Sequence, residues 1–169
     1  MAETILKKYS VQEKLNKMDV DVITLTPDTA TEAVSDGEVI FMADAITDAV
    51  AVPGGTCILQ SIGVLDDDDH GGAIDVVFMD TTGLLDAGDD GGTIDAADGA
   101  IPDAILGVVT ISSYFDGNLW KFGHKENIGL VLKAASTTTS IYVSAVNRSG
   151  GALTWTAAGL RFKFGIVKD

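Results

Sequence analysis

Four consecutive aspartates, Asp66 to Asp69, are followed directly by His70 and form the densest group of ionisable side chains in the 169-residue chain. Adjacent carboxylates are costly to bury without partners, so we expect this run to lie in water or against a cation. Calcium favours carboxylate oxygens, but no nearby glutamate is available to bind an ion through both oxygens. The run therefore allows weak divalent binding and defines no specific metal site.

A second acidic group lies in the glycine-rich segment from Thr81 to Asp103. Asp86 and Asp90 match positions one and five of a calcium-binding EF-hand loop, but positions three and twelve are Gly88 and Ala97. The match fails at ligands that the loop needs. The segment is long for a loop in a compact domain, and loops of this length are usually functional or disordered.

Nucleophilic catalysis needs a base beside the nucleophile, and the chain has only two histidines, His70 and His124. Neither lies in a recognisable motif: we expect His70 to be solvent-exposed and His124 to be a structural residue at the end of a hairpin. Glycosidase chemistry needs two carboxylates held at a fixed separation, which aspartates in glycine-rich loops do not provide. The sequence predicts a protein that is not an enzyme and uses no cofactor.

The net charge of -14 is unevenly distributed along the chain. Residues 1–17 hold four lysines and two glutamates, residues 18–120 hold twenty-one acidic residues and no Lys or Arg, and residues 121–169 hold seven basic and two acidic residues. The missing basic face argues against a nucleic-acid partner. Either the surface is anionic and solvated, or the basic ends contact something acidic. No apolar stretch approaches the roughly 18 residues of a membrane span, so no membrane partner is expected.

Alternating apolar residues predict about nine or ten strands from Val20 onward and almost no helix. The alternation is clearest in the last third, where Leu160, Phe162, Phe164 and Ile166 share one face and Arg161 and Lys163 the other. The single cysteine, Cys57, is expected to be a small core residue. These patterns predict one all-β domain over residues 20–169, an antiparallel β-sandwich resembling a jelly roll.

Several local predictions follow the same patterns. The segments flanking the aspartates, Cys57 to Leu65 and Ala73 to Met79, are predicted strands that could pair as a hairpin. Ile46 to Val52 could be extended, and Pro102 with residues 104–107 could form a helical turn before a strand from Val108 to Phe115. Asp116-Gly117 predicts a hairpin with a type I′ turn, whose return strand ends near His124.

Residues 1–19 are predicted to be a separate N-terminal arm, helical or extended, because the only helical pattern lies in residues 3–18. A helix of this length is marginal in water, so we expect it to order only against a partner; a frayed terminus without a role is the alternative. The residues of the arm expected to contact a partner or a neighbouring subunit are Lys7, Lys8, Tyr9, Lys14 and Lys17.

Four phrases carry a resemblance to a known group of proteins. They are ITLTPDT (Ile23 to Thr29), ILQSIGVLDDDDHGGAIDVVFMD (Ile58 to Asp80), NIGLVLKAASTTTSIYVSAVNRSGG (Asn127 to Gly151) and TAAGLRFKFGIVKD (Thr156 to Asp169). Their order and spacing resemble small virion proteins of tailed bacteriophages of the head decoration, or capsid cement, kind. The resemblance covers residues 20–169 and excludes the arm.

The resemblance implies a single β domain on the outer surface of the phage head. Its expected partners are the major capsid protein and further copies of itself, commonly in a homotrimer, and its expected role is to brace neighbouring capsomers. The alternative is a tail-fibre or receptor- and carbohydrate-binding β-sandwich, or a host protein of the same fold with an unrelated binding role. Sugar sites usually use exposed aromatic residues, so the positions of Trp120 and Trp155 should discriminate between these functions.

Overall fold

The computed structural model describes residues 19–82, 92 and 104–168. Their regular structure consists of nine strands: β1 (Asp19–Leu25), β2 (Val39–Ile46), β3 (Thr56–Asp66), β4 (Ile74–Met79), β5 (Ile105–Ile111), β6 (Tyr114–Asp116), β7 (Lys121–Lys133), β8 (Ile141–Asn147) and β9 (Leu160–Lys168). The predicted arm, with its five contact residues, and the EF-hand-like positions lie outside the described residues. Within these residues, no helix is long and apolar enough to cross a membrane.

The strands form two antiparallel sheets. The five-stranded sheet has the order β1-β9-β3-β7-β6, and the four-stranded sheet has the order β2-β8-β4-β5. Apart from the β4–β5 hairpin and the short β6, successive strands along the chain alternate between the sheets, which is the connectivity of a jelly roll. The predicted all-β antiparallel sandwich is confirmed.

The core lies between the sheets and is built by the alternation that the sequence shows. On β9, Phe162 and Phe164 point inward and are fully buried. Phe162 packs against Phe41 of β2 with ring centroids 5.5 Å apart, and Phe164 packs against Phe78 of β4 at 5.8 Å. These aromatic contacts join the two sheets. Cys57 is buried in the same core, as predicted, and burial raises its pKa to about 11.

The predicted pairing of the strands that flank the aspartates is wrong. β3 pairs with β7 and β9, whereas β4 pairs with β5 and β8, so the two strands belong to different sheets. The run of aspartates is therefore not a hairpin turn. It is a connection that crosses from one sheet to the other, and we call residues 66–72 the acidic connection.

The hairpin at Asp116-Gly117 is confirmed, but its predicted turn type is wrong. The loop has four residues, closed by a hydrogen bond from the Gly117 amide to the Trp120 carbonyl (2.8 Å), and within it only Asn118 has a positive φ. A type I′ turn needs two consecutive residues with positive φ. The return strand β7 also continues well beyond His124, to Lys133.

Two further local predictions are wrong, one of them in part. Residues 47–52 form turns and bends and are not extended. Of the predicted helical turn, Ala104 is helical, Ile105–Gly107 belong to β5, and Pro102 lies outside the described residues. Main-chain pairing explains the second case, because β5 pairs along the whole of β4. The predicted strand from Val108 to Phe115 is divided between β5 and β6, which lie in different sheets.

Candidate functional site

The acidic connection begins with a buried carboxylate. Asp66 is only 2% exposed, and its side chain accepts hydrogen bonds from the backbone amides of Asp68 (3.1 Å) and Gly71 (2.8 Å). Gly71 has a φ of 62°, which glycine adopts without strain. The expectation that all four aspartates face water or a cation is therefore wrong for Asp66, because the connection folds back and supplies backbone donors.

The next two aspartates bind the segment that leads into β9. Both carboxylate oxygens of Asp67 accept from the Arg161 guanidinium, at 2.7 and 3.0 Å. Asp68 accepts from the Thr156 amide at 2.8 Å and from the Thr156 hydroxyl at 2.9 Å. These contacts tie the acidic connection to a part of the chain almost ninety residues later.

The fourth aspartate binds β7. The Lys121 ammonium lies 3.2 Å from Asp69 and 3.6 Å from Asp116, and the hydrogen bond to Asp69 is the main cause of a raised Lys121 pKa. The pKa of Asp116 is lowered, first by a hydrogen bond from the Asn118 amide and then by the Lys121 charge. All four aspartates are thus used within the fold. No group of three or more His, Cys, Asp or Glu side chains that could hold a metal ion occurs among the described residues.

The two histidines differ from their predicted settings. His70 is half-buried, donates from Nε2 to the Thr154 carbonyl (2.7 Å), and meets Trp155 edge-on with ring centroids 5.6 Å apart. Its predicted solvent exposure is therefore wrong. His124 lies within β7, not at the end of a hairpin, and its exposed ring stacks on Phe122.

The outer face of the five-stranded sheet carries exposed aromatic and basic side chains. Strand register places Thr24, Lys163, Gly63 and His124 side by side in one row across β1, β9, β3 and β7. Partners in a ladder project to the same side of the sheet, and the alternate residues of β9 fill the core, so this row faces outward. Lys163 is exposed at its centre.

A second row lies two residues away on the same face. It contains Arg161, Leu65, Phe122 and Phe115, contributed by β9, β3, β7 and β6. Phe115 is 66% exposed, and Trp120 lies beside it with ring centroids 5.9 Å apart. We call the surface made by these two rows and Trp120 the trough.

Neighbouring side chains pack closely over two glycines of this face. A β-carbon on Gly63 would lie 3.0 Å from the Phe122 ring, so the ring leans over the glycine. In the next row along the strands, a β-carbon on Gly165 would overlap the Ser61 hydroxyl. Two adjoining recesses of about 520 and 420 Å³ lie on this face, and both are lined by Phe115, Phe122 and Lys163.

The trough also holds charge that the fold does not use. Lys121, Arg148, Arg161 and Lys168 each form an ion pair with an aspartate from the acidic middle segment. Within residues 19–82, 92 and 104–168, Lys163 and the neighbouring Lys125 form no ion pair. The trough therefore combines aromatic rings with available cations, which suits the binding of a ligand.

Most of the trough was not recognisable in the sequence. The alternation of β9 indicated that Arg161 and Lys163 face away from the core, but Phe115 and Phe122 join them only through the register of β3, β6 and β7. The two tryptophans give a divided answer: Trp155 is in the core at 2% exposure, and Trp120 lines the trough at 38%.

No protein-family model matches this chain, and no curated protein matches it in sequence. The chain is similar to a solved structure of Desmodium yellow mottle tymovirus, with 10% sequence identity, coverage of 89% of this chain and 86% of that chain, and a TM-score of 0.26. A similarity at this TM-score supports no conclusion about fold or function. The fold assignment rests on the strand pairings of this chain.

Proposed function

We propose that this protein is a non-enzymatic structural component of a virus particle. The observation that carries the proposal is the strand order of its two sheets, which is that of a jelly roll, an architecture used by viral capsid and lectin domains. The side chains support the same function. The ionisable cluster that stands out in the sequence is used internally, and an exposed aromatic and cationic face is left for binding.

The finer role that we propose is decoration of a tailed-phage head. The phrases that resemble decoration proteins are in direct contact in the fold: Asp67 and Asp68, in the second phrase, bind Arg161 and Thr156, in the last. The proposed partners are the major capsid protein and further copies of the chain, in a homotrimer on the outer head surface. Many identical weak contacts suit such an assembly, because occupancy then depends on avidity.

Quantitative mass spectrometry of purified particles tests this proposal. Hundreds of copies per particle, released together with the outer shell, would support decoration. A handful of copies would favour a tail component, and absence from particles would contradict both. Light scattering of the free protein would test the trimer, which a monomer at high concentration contradicts.

The N-terminal arm is proposed to contribute to capsid or subunit contacts through Lys7, Lys8, Tyr9, Lys14 and Lys17. Deleting residues 2–18 should reduce capsid occupancy more at low salt than at high salt, because salt screens exposed charges. Changing the four lysines to glutamine, with Tyr9 kept, is the matched control for charge. Equal occupancy of the deleted and intact proteins at every salt concentration would contradict this role.

A receptor- or carbohydrate-binding module is the second candidate, and the placement of Trp120 favours it. This tryptophan and Phe115 lie on an exposed recess, which is the arrangement that a sugar site needs. The two candidates differ in copy number on the particle and in the need for a ligand. A decoration protein requires no ligand in the trough, whereas a receptor-binding module does.

A further inference from the structure

We infer that the trough is a binding site for an acidic saccharide, meaning a sugar ring that bears a carboxylate. The inference does not rest on the virion proposal, because it uses only the contacts and charges of the outer face. It specifies a ligand class for a surface on which Lys163 forms no ion pair with any described residue and Phe115 is largely exposed.

The aromatic wall supplies the first part of the argument. Phe115, Phe122 and Trp120 are grouped at one side of the recess, and Phe115 is two-thirds exposed. The outer face of a sandwich sheet is usually polar, so exposed rings here need a reason. The C–H face of a sugar ring packs on an aromatic ring while its hydroxyls stay hydrated, which accounts for rings that are exposed and yet grouped.

The opposite wall supplies the charge. Lys163 is adjacent to Gly63 across the ladder and lines both recesses, and it has no ion-pair partner among the described residues. Arg161 lies in the next row, with its guanidinium positioned by both oxygens of Asp67. A carboxylate bound at this wall would form charge-assisted hydrogen bonds, which are stronger than neutral ones.

The net charge of -14 does not prevent such binding. Two carboxylates line the recesses, Asp67, which is paired with Arg161, and Glu126. At physiological ionic strength the Debye length is about 8 Å, so acidic residues farther away on the surface are largely screened from the recesses. The direct contact with Lys163 is screened far less. The ligand should therefore bind at this face and be repelled only weakly by the rest of the molecule.

The dimensions indicate a short oligosaccharide. Recesses of about 520 and 420 Å³ lie within the range of roughly 300–1,000 Å³ that is typical of small-molecule sites. The floor of the two recesses extends along β3 from Leu65, which lines one, to Ser61, which lines the other; four residues span about 13 Å at the usual rise of a strand. The floor is therefore long enough for more than one ring.

Calorimetric titration of the full chain with trigalacturonate, and with its fully methyl-esterified form, tests the inference. The two ligands share their rings and differ in charge. We expect saturable binding of the acid and about tenfold weaker binding of the ester. No binding of the acid at millimolar concentration would overturn the inference, as would equal binding of both forms.

Two variants localise the site. Lys163→Gln should remove most of the preference for the acid over the ester, and Trp120→Ala should weaken both ligands to a similar extent. Lys133→Gln, an exposed lysine on the same sheet, is the control and should leave both affinities unchanged. Thermal melts identify any variant that has lost its fold, in which case Phe115→Ala, at the more exposed ring, replaces Trp120→Ala.

A different occupant would give a different result. If the trough joined two protein surfaces, Trp120→Ala and Lys163→Gln would change the oligomeric state measured by light scattering, without any saccharide binding in the wild type. That outcome would overturn the inference and leave the virion proposal standing. Saccharide binding by a protein that is absent from particles would support the inference and contradict the virion proposal.

Discussion

The acidic connection and the trough adjoin on the five-stranded sheet and even share the Asp67–Arg161 pair, but they use their polar groups in opposite ways. In the acidic connection, each of four aspartates has a partner within the chain. In the trough, Lys163 has no ion-pair partner among the described residues, and Phe115 is mostly exposed.

This difference shows that a conspicuous run of charge is a poor guide to function. Four consecutive carboxylates attract attention in a sequence, but their positions at the junction of two sheets place either a backbone amide or a cation beside each of them. The trough is inconspicuous in the sequence, because its residues come from five separate strands and the β6–β7 loop. Mutations in the acidic connection should therefore mainly affect stability, and mutations in the trough should mainly affect binding.

The largest effect is expected from Asp66→Ala. The change leaves the amides of Asp68 and Gly71 without their acceptor in a partly buried setting, and each lost bond of this kind costs about 1–3 kcal/mol. We expect the free energy of unfolding to fall by about 3 kcal/mol in urea denaturation. A loss below about 0.5 kcal/mol would mean that the acidic connection does not depend on this carboxylate.

A smaller loss is expected from Asp68→Ala, which removes the acceptor for the amide and hydroxyl of Thr156. Because these groups are more exposed than those around Asp66, water can replace part of the lost bonding, and we expect about 1–2 kcal/mol. Asp68→Asn retains one acceptor oxygen and is the matched control. Equal losses in both variants would show that geometry, and not hydrogen bonding, determines the effect.

The exposed pair of Asp67 and Arg161 should contribute least. A double-mutant cycle with Asp67→Asn and Arg161→Gln should give a coupling energy of about 0.2–1 kcal/mol, because both side chains are accessible to water. The coupling should decrease further in 1 M salt. A coupling energy above about 2 kcal/mol would mean that this pair contributes to stability as strongly as Asp66, contrary to this prediction.

The response to pH should be small and confined to the extremes. The lowered pKa of Asp116 means that its contribution to stability is present above the ordinary aspartate pKa and is lost as pH falls through the lower folded value. The raised pKa of Lys121 means that its contribution is complete below 10.5 and is lost as pH rises through the higher folded value. Melting curves of Asp116→Asn should show a smaller acid-side loss than the wild type, and the remaining loss includes the contribution of Asp21, whose pKa is lowered by its hydrogen bond with Lys168. A change between pH 5 and 9 that Asp116→Asn removed would contradict the assignment.

The sequence predicted the fold more completely than it predicted the trough. The alternation of Phe162 and Phe164 with Arg161 and Lys163 was sufficient to predict β9 and its buried side, because period-two burial is a local property. It was not sufficient to show that β3 and β4 lie in different sheets, since partner choice depends on distant strands. Asp66 was assigned to water for the same reason: its donors come from how the connection folds, which the residue types do not encode.

The most direct test of the contrast between the two regions is a two-dimensional amide NMR spectrum of the full chain, titrated in turn with calcium and with trigalacturonate. We expect the acid to shift the signals of Phe115, Phe122, Lys163 and the Trp120 indole, and we expect neither ligand to give saturable shifts from Asp66 to Gly72. Saturable shifts in the acidic connection, together with an unchanged trough, would contradict the account.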